Sequence, residues 1–151
     1  MAENGFQFRF QKVLDVRQGE QRSLEIELGR LDGEILKATR VRDGWTRLRG
    51  DCLDGLGQAQ RASRLAEAAH HSRYLDHVRQ RLVESVTAID ELRQQREAVR
   101  AELERVLRAC KMLEQYRDRL VREHLSAQER ADERIVDIHS VHKYVEAKRA
   151  Q

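Results

Sequence analysis

The sequence predicts an all-α protein made of two long helices folded into an antiparallel coiled-coil hairpin. Three observations carry this. The 151 residues include no proline, and 36% are charged while only 5% are aromatic. Such a chain is too charged and too poor in large apolar groups to wrap a rounded core, and its Ala, Leu, Glu, Gln and Arg all favour helix. Apolar residues recur at alternating spacings of three and four over most of the length, the pattern of a seam between packed helices. One glycine-dense stretch, "RGDCLDGLGQAQRAS" from Arg49, divides the pattern in two.

The first helix is expected over about 6–49. Its seam runs Phe10, Leu14, Arg17, Gln21, Leu24, Leu28, Leu31, Ile35, Ala38, Arg42, Trp45. The turn is expected at about 50–60, where Gly50, Gly55 and Gly57 fall within eight residues and Asp51 and Asp54 can bond their own backbone. The second helix is expected over about 61–148, its seam running from Leu75, Val78 and Leu82 through Ile89, Val99, Val106, Cys110 and Leu113 to Leu120, Ile138, Val141 and Val145. The whole chain, 1–151, reads as one domain. A turn near residue 55 brings Leu28 close to Leu82. It also leaves the longer second helix projecting past its partner from about residue 105, with part of its apolar stripe uncovered and available to another surface. Arg17, Gln21, Arg42, Ser85 and Arg96 occupy seam positions, where they either fix the register or run their stems along the seam and keep their polar ends wet.

Charge and motifs exclude several function classes. The 29 basic and 26 acidic residues are interspersed and the net charge is only +3, so nothing marks a nucleic-acid face. Cys52 and Cys110 lie far apart, without ligand spacing, and read as small seam residues of a reducing compartment. No apolar run reaches the length of a membrane span. The one glycine-rich segment, "GDCLDGLG", lacks the lysine and hydroxyl residue of a phosphate loop. His139 and His142, three apart with Asp137 and Glu146 nearby, have no defined third zinc ligand, and the adjacent His70 and His71 point in different directions on a helix. No cofactor, metal site or catalytic constellation is expected.

The opening "FQFRFQKVLDVRQGEQ" is the most specific string in the chain. Phe6, Phe8, Arg9, Phe10, Val13, Leu14 and Arg17 resemble the start of the flagellar export protein FliJ family, and "YLDHV" (74–78), "KMLEQYRDR" (111–119) and "ADE" (131–133) resemble later stretches of the same pattern. The resemblance covers about 130 residues. It implies a non-enzymatic stalk and chaperone component of the flagellar type III export apparatus, similar to the coiled-coil part of the gamma subunit of rotary ATP synthases. The implied partners are the hexameric export ATPase FliI, the membrane gate protein FlhA and other export chaperones. The implied location is the cytoplasmic face of the inner membrane, reached only through partners.

Carried over residue by residue, the resemblance implies an ATPase-ring contact at Phe6, Phe8, Arg9, Phe10, Val13, Leu14, Arg17, Lys111, Leu113, Glu114, Asp132 and Glu133. It implies a gate contact at Tyr74, Leu75 and Val78. The three phenylalanines are expected to form an apolar clasp against the long second helix, and Tyr74, one position before a seam site, is expected to be partly exposed. Two readings stay open beside this one: the equivalent stalk of a virulence secretion system (the YscO family), and a coiled-coil scaffold that dimerises through the exposed stripe. A helix binding a membrane surface or nucleic acid is a further class, disfavoured by the balanced charge.

Overall fold

A computed structural model describes residues 6–149, apart from the side chains of residues 147 and 149; residues 1–5 and 150–151 of the expected 1–151 domain lie outside the described residues. Two helices account for nearly all of it, α1 (Gln11–Arg61) and the longer α2 (Leu65–Arg149), and they form a helical hairpin with no strand among the described residues.

Both ends of α1 differ from expectation. The helix starts at Gln11 and not near residue 6, with Gln11 N–H donating to Phe8 O at 3.0 Å and Leu14 N–H to Phe10 O at 3.0 Å. Residues 6–8 precede the helix without regular structure, and Phe6 and Phe8 line the same cleft. The turn lies at residues 62–64 and not at 50–60, and α2 begins at Leu65. Glycine inside a helix costs only about 1 kcal/mol relative to alanine, so a helix packed along another tolerates several. What stops α1 is a left-handed residue, Ser63 with φ 56°. Around it Ser63 N–H donates to Gln60 O at 3.0 Å and Arg64 N–H to Ala59 O at 2.8 Å, the paired bonds of a Schellman cap.

Contacts gather the chain into two units. Among the described residues, unit 1 joins 6–19 with 106–149, and unit 2 is Glu20–Arg105. In unit 1 the buried side chains are Phe8, Leu14, Val106 and Cys110. Its seam is covered further than expected, because Phe6 reaches His124, with ring centroids 5.7 Å apart. Every described side chain from Ala131 to Glu146 is exposed, including Ile135, Ile138 and Val141.

In unit 2 the buried side chains are Leu31, Cys52, Ala59, Leu75, Val78 and Ile89. Arg96 crosses to Asp32, Arg81 to Trp45 and His71 to Gly55, so the α2 partner moves back toward the turn as α1 moves forward and the helices are antiparallel here. This register overturns the expected nearness of Leu28 and Leu82. Leu28 lies one turn before Asp32 and therefore near the level of Val99 or Arg100, roughly 25 Å along the axis from Leu82 at about 1.5 Å per residue.

Near the turn the helices approach closely. A Cβ on Gly55 would lie 2.6 Å from the His71 ring, so the absent side chain leaves a seat for the imidazole. No polar side chain is buried among the described residues. Arg42 instead pairs with its neighbour Asp43 at 2.7 Å, and Ser85 Oγ donates to Arg81 O at 2.7 Å. Arg96 Nε sits 2.7 Å from Asp32 Oδ1, but its N–H is not aimed at the carboxylate, so the contact is an ion pair without a directed hydrogen bond.

Candidate partner-binding surfaces

Two aromatic assemblies stand out, one in each unit. In unit 1 the chain entering α1 places three rings against α2. Phe8 and Phe10 lie 5.9 Å apart, and both face Tyr116, at 6.1 Å and 6.2 Å between centroids. These separations are in the range of favourable aromatic pairs, whose rings tilt so that a positive edge meets a negative face. Phe8 is buried, whereas Phe10 is 39% exposed with the Arg9 guanidinium 5.9 Å over its ring. An open cleft of about 620 Å³ lies beside the clasp, floored by Phe6 and Phe8 and walled by Gln115, Arg117, Val121 and Arg122.

The remaining expected ring-contact residues divide by place. Leu14 is fully buried and serves the seam; Phe6, Leu113 and Glu114 are half-buried, and Gln18 Nε2 donates to Glu114 Oε1 at 3.3 Å. Arg9, Val13, Arg17 and Lys111 are exposed. Asp132 and Glu133 are exposed farther along α2, about 24 Å of helix axis from Tyr116 at about 1.5 Å per residue, so they are not brought to the clasp. The sequence reading missed Tyr116 and His124 as the residues the phenylalanines meet. The "QY" inside "KMLEQYRDR" was the available signal for the first.

In unit 2 the expected gate residues separate as well. Leu75 and Val78 are buried in the seam, while Tyr74 is 39% exposed. The Tyr74 ring lies 6.1 Å from His77, His77 meets Trp45 edge-on at 6.0 Å, and the Arg81 guanidinium sits 5.6 Å over the Trp45 indole. Tyr74, His77 and Arg81 lie three and four apart and so share one face of α2, with Trp45 entering from α1. An amphipathic aromatic patch capped by a cation is suited to recognition, since rings offer large contact area for little lost conformational freedom. The sequence reading placed Trp45 in the seam and did not connect it with this face.

Among the described residues no group of three or more His, Cys, Asp or Glu side chains is arranged to hold a metal ion, and His142 faces only Glu146, at 3.9 Å. The Arg119 pKa is raised, first by its hydrogen bond with Glu123 at 2.8 Å and then by that carboxylate's charge, in an exposed surface pair. No helix among the described residues is long and apolar enough to cross a membrane.

Comparison with known proteins agrees with the resemblance at the chain's start. The family model described as flagellar FliJ protein matches residues 6–149. No curated protein and no solved structure matches the chain.

Proposed function

The chain belongs to the flagellar FliJ protein family, and we propose that it serves flagellar protein export as a non-catalytic stalk and chaperone component, seated by its clasp in the ring of the export ATPase FliI and touching the gate protein FlhA through the Tyr74 patch. The observation that carries the reading is the family match over 6–149, which includes both aromatic assemblies. The clasp gives it a physical form. Phe8 holds the terminus in place, and Phe10 with Arg9 presents an apolar and cationic edge to a partner. Exposed Lys12 and Arg122 nearby add positive charge that suits acidic residues on a ring. The gate contact is centred on Tyr74, His77, Trp45 and Arg81, because Leu75 and Val78 are spent on the seam. In this reading the protein is cytoplasmic and reaches the inner membrane only through partners, and it also meets export chaperones.

The test is kinetic. The purified protein should leave ATP intact and should raise turnover or ring assembly of the cognate ATPase. Replacing Arg9 and Phe10 together with alanine should weaken ring binding at least tenfold and lower the melting temperature little. No effect of the unaltered protein on turnover or assembly, over a wide concentration range, removes the stalk reading.

A further inference from the structure

Burial along α1 is uneven within unit 2. Leu31 is buried, and the next buried side chain is Cys52; over residues 32–51 every side chain is half-buried or exposed. The same stretch contains Gly33, Gly44 and Gly50, and a Cβ added at any of them meets nothing within 4 Å. No close approach requires these glycines, unlike Gly55, and each weakens the helix about fivefold relative to alanine. Thr39, Val41, Asp43 and Thr46 lower the propensity further. At the centre of the stretch Arg42 holds a seam position yet pairs with its own neighbour Asp43 and not across to α2.

The facing helix is built differently. No glycine occurs anywhere in α2, and its residues opposite this stretch include the buried Val78 and Ile89. The register set by Arg96 with Asp32 and Arg81 with Trp45 places α2 residues from about 77 to 96 against residues 32–51.

We infer that residues 32–51 form a yielding segment of α1, which leaves α2 locally while the anchors Leu31 and Cys52 hold, and that its opening uncovers an apolar face of α2 containing Val78, Leu82 and Ile89 beside Tyr74. A stretch that buries no side chain of its own and has low intrinsic propensity sits at the low end of local stability. The opening stands on these observations alone. Its consequence for the gate contact rests on the reading proposed above: a gate protein that engages Tyr74 gains Val78 only in the open state, and so selects that state.

Hydrogen exchange on the full-length protein tests the opening. Amides of residues 32–51 should exchange at least tenfold faster than those of residues 77–95. Gly33→Ala with Gly50→Ala, both at positions with room for the methyl group, should slow the α1 segment about 25-fold and change the α2 rates little. Equal rates in the two segments, or no slowing by the alanine pair, overturns the inference. Adding the soluble part of the gate protein separates the two readings. Faster exchange in 32–51 together with weaker binding by the alanine pair supports the coupling. Fast, alanine-sensitive exchange that the gate protein leaves untouched supports the yielding segment and removes the gate assignment.

Discussion

The two units use their aromatic residues in opposite ways. Unit 1 turns a ring inward: Phe8 is buried, Tyr116 braces it, and the aliphatic seam beside it is short, with Leu14, Val106 and Cys110 buried. Unit 2 buries no ring at all. Leu31, Leu75, Val78 and Ile89 fill its seam, small residues at Cys52 and Ala59 bring the helices together, and Trp45 and Tyr74 remain at or near the surface. In a chain with so few aromatic residues the contrast assigns their work. Phe8 is needed for the fold where it sits, whereas Trp45 and Tyr74, like Phe10 in unit 1, keep part of their rings at the surface.

The largest expected effect tests that contrast on stability. Phe8→Ala removes a buried ring and should cost about 3 kcal/mol of unfolding free energy, at the lower end of the usual range because the site lies next to solvent. Trp45→Ala should cost roughly 1 kcal/mol, since the indole is only half-buried. Urea unfolding followed by circular dichroism measures both. If Trp45→Ala proves the more damaging, the contrast between a structural Phe8 and a surface Trp45 is wrong.

A second comparison moves to binding and to a somewhat smaller effect. If the proposed gate contact holds, Tyr74→Ala should lower affinity for the gate protein by about 2 kcal/mol, as a partly exposed aromatic anchor does, and change stability by less than about 0.5 kcal/mol. Tyr116→Ala should do the reverse, loosening the clasp and lowering the melting temperature with gate affinity intact. Calorimetric titration with the gate protein and thermal melts of the two variants supply the four numbers. Loss of gate affinity in both variants would show that Tyr74 acts through general stability and not as a contact.

How far the residues alone disclose this arrangement depends on what each signal measures. The three-four spacing reports which side of a helix is apolar, and that requires no knowledge of the partner; Leu14, Leu31, Leu75, Val78, Ile89, Val106 and Cys110 are seam positions in the sequence and are buried in the structure. Glycine reports permissiveness, which is weaker evidence. Gly50 and Gly57 lie within a continuous helix, and the chain reverses at Ser63, a residue type that does not announce a left-handed conformation. That error propagates, because in a hairpin the turn sets every cross-helix pair. Moving the turn by about eight residues shifts each partner by about sixteen, so Trp45 against His77 and Arg81 was illegible until the turn was placed. The Phe6–Phe8–Phe10 cluster was visible as a clasp, but the rings it meets lie outside the apolar frame, and spacing could not choose them.

The smallest effect concerns the tip, and it confines the comparison to unit 2. Ser63 holds φ at 56°, where a Cβ crowds the following carbonyl, at a cost of roughly 1–2 kcal/mol for a residue with a side chain. The position is the one that glycine usually fills in this type of cap, and its two hydrogen bonds come from backbone groups that glycine retains. Ser63→Gly therefore relieves the crowding but adds freedom to the unfolded chain, which takes back up to about 1 kcal/mol. The net expected gain is about 0.5 kcal/mol. Ser63→Val acts in the opposite direction on both counts of local geometry, since a β-branched side chain tolerates this region worst, and it should lose about 1 kcal/mol or more. Protection of the Leu75 and Val78 amides against hydrogen exchange should rise in the glycine variant and fall in the valine variant, with the ring clasp of unit 1 undisturbed in both. A valine variant as stable as the unaltered protein would mean that the left-handed residue does not set the turn.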